Sequence, residues 1–255
     1  MSDFPEELFD LAYMQGTQDG YADLVELAEP ENWNYVNSIS KKPNPVLTNY
    51  INHTYKRLVK QEKIFVTQDG QKLCFNTGLV TPNQEEIFAL FSVNRAQDKQ
   101  PWFLNGWRKS NHHDLSVFSK LPDLAQYFDD PTALFFDARK ELRINVDHII
   151  EENKDRFPER YKSISPFELN NLLNGALEAV KKRVRRNYKS AIPQYYQGRM
   201  QILLPICLSV PNVADLALAV ELYQDHYRGS TCLTLDMAYN NARQIAKPDR
   251  DWLQP

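Results

Sequence analysis

The pattern of apolar residues predicts an α+β fold in which antiparallel β meanders pack against a long amphipathic helix and several shorter helices. Three observations carry this. After Ser165-Pro-Phe-Glu168, residues Leu169, Leu172, Leu173, Ala176, Leu177, Val180 and Val184 recur at helical spacing. Short apolar runs separated by turn formers, Asp69-Gly70 in one half and Pro211-Asn212 and Gln224-Asp225 in the other, read as strands of two meanders. A chain of 255 residues that is 42% hydrophobic and 12% aromatic has enough apolar mass for a real core.

Residues 1–40 read as an N-terminal helical arm packed on the body, and residues 41–255 as a single α+β domain. A net charge of -3 excludes a polycation, so any nucleic-acid surface is a local patch. Cys74, Cys207 and Cys232 lie in apolar runs at no metal-ligand spacing, which suits buried free thiols in a reducing compartment. The start, Met-Ser-Asp-Phe-Pro-Glu-Glu, is acidic where a signal peptide is basic. The longest apolar run, Ile202–Leu208, is too short for a span and contains Pro205. The expectation is a soluble cytoplasmic protein with no membrane partner.

In chain order, the arm holds helical pieces around Glu6–Met14 and Tyr21–Ala28, separated by the turn-prone 15–20 stretch. Asn44-Pro45 is an N-cap with proline at the first helical position, opening a helix to about Glu62. Lys63–Thr67 and Lys72–Phe75 flank Asp69-Gly70 as a hairpin, a turn pair suited to positive φ at both positions. The second strand ends in Phe75-Asn-Thr-Gly-Leu79, where Asn76 and Thr77 either face a ligand or make a plain Asx turn. Glu86–Phe91 and Pro101–Trp107 complete the first meander. Leu121–Tyr127 reads as a helical turn, and Asp129-Asp-Pro131 as its stop.

Leu142–Val146 reads as a strand, after which Asp147 caps a helix to Arg156. On it, His148 sits one turn from Glu151 and Glu152, carboxylates that can tune an imidazole for acid–base work; the plain alternative is a packing histidine. No second His or Cys stands at i+4, so no metal site is assigned. In the long helix, Ser165 and Glu168 fit a capping box with Pro166 at the first helical position. Burying its leucines and valines at roughly 1.5–3 kcal/mol each makes it a main structural beam. The helix runs to about Asn187 and ends in six cations within Lys181–Lys189, more than the helix dipole needs. With Tyr188 and Gln194-Tyr-Tyr196 this is a basic and aromatic composition suited to RNA; a merely solvated basic face is the alternative.

Met200–Leu208, Ala214–Glu221 and Tyr227–Leu235 should form the closing meander, with Pro205 marking an edge or bulged strand. Asp236 reads as the N-cap of a helix through Arg243. Asp236, Tyr239, Asn240 and Arg243 then fall at i, i+3, i+4 and i+7, one face with a carboxylate, a phenol, an amide and a guanidinium. The alternative has Asp236 only capping and Arg243 only in an ion pair. There is no Gly-rich phosphate loop, no G-x-S-x-G and no internal repeat, and the chain has 8 glycines.

On Phe75-Asn-Thr-Gly-Leu79, Val146-Asp-His-Ile-Ile-Glu-Glu-Asn153, Arg185-Arg-Asn-Tyr-Lys189, Pro193-Gln-Tyr-Tyr196 and Tyr227 through Arg243, the chain resembles a bacterial family known as domain of unknown function 3825. The likeness runs from about Trp33 to Pro255. Members of that family occur beside cold-shock and OST-HTH (LOTUS) modules, which implies work near RNA. Such a module is not seen here, which points to a protein partner that carries one. The resemblance brings no catalytic role and no cofactor, but it draws the Asn76–Gly78 and Asp236–Arg243 groups toward a shared pocket.

Three functions stay open on the sequence. The first is an RNA- or nucleotide-binding domain, with Lys181, Lys182, Arg185, Arg186 and Lys189 on phosphates and Tyr188, Tyr196 or Tyr239 stacking a base. Asn76, Thr77, Arg228, Tyr239, Asn240 and Arg243 are then candidate ligand-binding residues around a polar pocket at the strand-to-helix junction. Arg228 opens the strand that Asp236 closes, roughly 23–24 Å away if that strand is regular, so it joins only through a bend or bulge. The second is an enzyme acting on RNA ends or nucleotides by phosphoester chemistry, with Asp236 or His148 as acid or base and Arg228 and Arg243 steadying phosphate charge. The third is a protein-interaction module whose basic helix meets an acidic partner.

Overall fold

Short helices α1 (Leu8–Leu11) and α2 (Ala22–Leu27) form in the arm, with a two-residue strand β1 (Ala12–Tyr13) between them. The structure is a computed structural model describing residues 4–248 apart from 20, 39 and 97, so Gly20, which closes the expected 15–20 turn, lies outside it. The chain divides into two compact units. One is formed by residues up to Tyr35 and those from 40 to Gln126, the other by Val36–Ser38 and the residues from Tyr127 onward.

In the first unit, α3 (Pro45–Lys60) starts at its proline and buries Val46, Leu47, Tyr50, Ile51, Thr54, Tyr55, Leu58 and Val59, the stripe its spacing predicts. Asn44 does not cap it through its side chain; its backbone adopts the left-handed region instead. Strands β2 (Phe65–Val66), β3 (Lys72–Val80), β4 (Glu86–Val93) and β5 (Trp102–Lys109) form the first meander, and β1 adds to β5 in parallel. At the β2–β3 turn only Gly70 has positive φ; Asp69 instead accepts hydrogen bonds from Thr67 and Gln71. The sheet is covered on both faces. Phe75 stacks on Phe91 and meets a tilted Tyr55 on one side, and Cys74, Phe88 and Leu90 meet Leu115, Phe118 and Leu121 on the other.

The helical turn expected at Leu121–Tyr127 does not form. Pro122 has no N–H to give, and side chains from α3 and the turn after it claim this segment's backbone. Arg57 donates to the Gln126 carbonyl at 2.7 Å, Lys63 to Leu124 at 2.8 Å, and Gln61 accepts from the Gln126 N–H at 3.0 Å. Asp130 of the expected stop caps a 3-10 turn, Pro131–Leu134.

In the second unit, β6 (Leu142–Ile144), α4 (Val146–Asn153), α5 (Glu159–Lys162) and α6 (Pro166–Arg186) precede β7 (Ile192–Tyr196), β8 (Arg199–Ile206), β9 (Leu216–Tyr223), β10 (His226–Leu233) and α7 (Leu235–Arg243). The sheet order is β6-β10-β9-β8-β7, antiparallel except for β6 on β10. The capping box of α6 forms as its sequence predicts, and Leu169, Leu173, Ala176, Leu177, Val180 and Val184 are buried. Leu172 is not part of that stripe: it is 40% exposed. With α4, α6 packs on the face carrying Ile202, Leu204, Leu218 and Val220, while α7 covers Leu203, Ala217 and Leu233 on the other.

Sequence reasoning missed β7, in which Pro193 and Gln194 break any apolar alternation; as an edge strand it tolerates the proline. Pro205 lies in an interior strand rather than an edge. The last partner of β7 is Leu203, however, so at Pro205 the strand is paired on the β9 side alone. Asp147 is not the cap of α4. Asn145 accepts from the His148 N–H at 3.2 Å, and Asp147 instead accepts from Asn170 of α6 at 3.1 Å. No helix among the described residues is long and apolar enough to cross a membrane.

Candidate functional site

The tail of α6 carries more cations than its own fold uses. Lys181 pairs with Glu178 at 2.7 Å, and Arg183 turns toward Cys207, with its Nη1 3.8 Å from Sγ. Lys182, Arg185 and Arg186 stand at i, i+3 and i+4 on the opposite side from the buried Val180 and Val184, and Lys189 follows in a 3-10 turn. These four are exposed, and among the described residues none of them closes an ion pair.

Beside them Tyr188 is 65% exposed, and its ring lies 6.5 Å from that of Phe135, itself exposed. Exposed large rings beside cations are the unusual feature here, because apolar rings at a fully solvated basic face are normally withdrawn. Tyr188 and Lys189 also line a pocket of about 340 Å³, together with Ile192 and Pro193 of β7, Ala242 of α7, and Ile245 and Lys247 just beyond it. That is a volume small ligands use. Phe135 was missed because a lone phenylalanine after a 3-10 turn carries no local sign of exposure.

Asp236 is placed differently from its expected role. Thr234 caps α7, accepting from the Met237 N–H at 3.3 Å. The buried Asp236 carboxylate accepts from the backbone N–H of Val36 at 3.1 Å, from that of Asn37 at 3.0 Å and from the Ser38 hydroxyl at 2.8 Å. Both oxygens are taken, so this group holds a distant piece of its own chain in the second unit. Arg243 is buried and Tyr239 packs on the small α7 core. Asn241, which the sequence did not single out, donates to Gln194 at 3.1 Å.

Asn76 and Thr77 fall in the first unit and are bonded within it. Asn76 accepts from the Gly78 N–H at 2.9 Å and donates to Glu86 at 3.0 Å; Thr77 donates to the Ile87 carbonyl at 2.6 Å and accepts from the Leu79 N–H. They build an Asx turn at the point where the β3–β4 register shifts. Gly78 is required there: its φ is +72°, and a Cβ would stand 2.6 Å from the Tyr50 hydroxyl.

His148 is exposed, with its backbone N–H joining the α4 cap. In the same motif Asn153 has the larger structural role. Where β6 ends beside β10, Asn153 accepts from the Cys232 N–H at 2.6 Å and Arg156 donates to the Cys232 carbonyl at 2.7 Å, replacing the missing strand. Burial pushes the Cys232 and Cys74 thiols up to about 12, as expected of structural thiols. Arg228 and Tyr196 lie on the exposed part of the second sheet, where the Arg228 guanidinium sits 5.4 Å over the Tyr223 ring.

A metal could be sought at His112, His113 and Asp114, whose ligand atoms lie within 4.8 Å of one another. Arg108 already sits 2.8 Å from Asp114, and its hydrogen bond holds that carboxyl below its usual range. A fixed guanidinium opposes a metal cation there.

The model of a family described as a domain of unknown function (DUF3825) matches residues 24–252. No curated protein and no solved structure matches the chain.

Proposed function

The chain belongs to the DUF3825 family, and from that premise we propose that it is an RNA- or nucleotide-binding domain. Lys182, Arg185, Arg186 and Lys189 hold phosphates, and Tyr188, with Phe135 beside it, receives a base at the mouth of the pocket. What supports this is one juxtaposition: four exposed cations, without ion pairs among the described residues, lie beside an exposed aromatic pair and a pocket of about 340 Å³. Cations supply sequence-independent attraction to phosphate, and rings supply a surface any base can stack on.

The test is retention of a short single-stranded RNA measured against salt. At about -0.7 per neutralised phosphate, four contacts give a slope of log K against log salt of roughly -3, and replacing Arg185 and Arg186 by Ala reduces it by roughly half. Absence of retention at low salt overturns the proposal in favour of an acidic protein partner for the same helix.

A further inference from the structure

We propose that the exposed face of the second sheet is a base-stacking platform for a single-stranded nucleic acid, on which Tyr196 and Tyr223 receive unpaired bases. This rests on the RNA-binding reading and adds a second place where bases are engaged, apart from Tyr188.

Cross-strand partners share a face of a sheet. Tyr196 stands opposite Arg199 and Gln194 opposite Gln201 on β7 and β8; Tyr223 stands opposite His226 and Glu221 opposite Arg228 on β9 and β10. Ile192, Leu203 and Leu233 carry the same face under α7, so the helix covers one end of the sheet and the polar, aromatic end continues past it. Tyr196 is 46% and Tyr223 50% exposed. β8, which carries Arg199, lies between their strands, so those strands run about 10 Å apart.

The groups around the rings are held in place. Asn241 of α7 donates to Gln194 at 3.1 Å, Gln194 to Gln201 at 2.7 Å, and Gln201 to Glu221 at a longer 3.5 Å; Arg199 meets the other Glu221 oxygen at 3.3 Å. Gln194 is only 1% exposed, and both ends of its amide are used, so the relay is anchored from beneath. At the far end Arg228 lies over Tyr223 and the His226 ring meets it edge-on at 5.8 Å.

This chemistry fits bases better than other occupants. Arg199 and Arg143 each share a carboxylate, Glu221 and Glu141, so the face lacks the excess of charge that a pure phosphate site carries. An apolar protein partner would bury those same charges at a cost. Rings, a guanidinium plane and fixed amide and carboxylate groups together offer stacking and edge hydrogen bonds.

The experiment compares two probes of equal length, a single-stranded RNA and an abasic sugar-phosphate strand. They are titrated into the 255-residue chain, its Tyr196→Ala/Tyr223→Ala variant and its Tyr196→Phe/Tyr223→Phe variant. Wild type is expected to prefer the RNA by at least about 5-fold per tyrosine. The alanine variant should lose the share of that preference due to Tyr196 and Tyr223 and keep only what Tyr188 supplies, and the phenylalanine variant should keep all of it because its rings remain. Equal binding of both probes by wild type, or a preference that survives undiminished in the alanine variant, overturns the platform. In that case loss of both probes on replacing Arg185 and Arg186 leaves the phosphate-binding reading standing. Failure of wild type to bind either probe ends both.

Discussion

The carboxylate of Asp236 accepts a 2.8 Å hydrogen bond from the Ser38 hydroxyl, across 198 residues of sequence. With the N–H groups of Val36 and Asn37 on the same carboxylate, the short 36–38 segment is tied into the second unit by one side chain. Hydrogen bonds to a charged acceptor contribute about 1.5–3 kcal/mol each when shielded, and less where the donor segment is exposed, as here. Asp236→Ala is therefore expected to destabilise by about 3 kcal/mol and Ser38→Ala by about 1. Urea unfolding of the two single variants and the double variant checks this. Additive effects would show that the pair is not coupled.

The same segment bears on domain organisation. We propose that residues 41–255 unfold as one domain together with the 36–38 segment. The chain passes into the second unit at Val36, leaves after Ser38 and returns at Tyr127. A fragment beginning at Tyr127 keeps the second sheet and its helices but lacks 36–38, leaving the buried Asp236 charge without its donors. Such a fragment is expected to melt broadly and well below the full chain. A fragment that melts as sharply and as high would show an independent domain.

Gly78 predicts a local failure in the first unit. Its φ of +72° costs any L residue about 1–2 kcal/mol, and a Cβ would collide with the Tyr50 hydroxyl at 2.6 Å. Gly78→Ala should thus cost more than the backbone alone, and Tyr50→Phe in that background should recover the steric part. No recovery in chemical denaturation would mean that the Tyr50 ring simply moves aside.

Leu172 and Leu173 separate the two sides of α6. Leu173 is 1% exposed and Leu172 is 40% exposed. Leu173→Asp leaves an unpaired charge in the core and is expected to abolish stable folding. Leu172→Asp should stay within about 1 kcal/mol of wild type. Similar melting temperatures for the two variants would place the helix in the wrong rotation.

The sequence by itself determined α6, its capping box and its buried stripe, because these depend on residues three and four apart. It likewise determined the two meanders and the cluster of cations from Lys181 to Lys189. Tertiary structure decided the rest. Leu121–Tyr127 has helical composition, yet Arg57, Gln61 and Lys63 take its backbone groups from another element. Asp236 looks like a cap because Asp is a good one, but Thr234, two residues earlier, takes the capping position and a segment 198 residues away takes the carboxylate. Tyr196, Arg199, Tyr223 and Arg228 share one sheet face only once register is set across four strands. Register comes from burying the alternate residues of every strand at once, and no local window of sequence contains that condition.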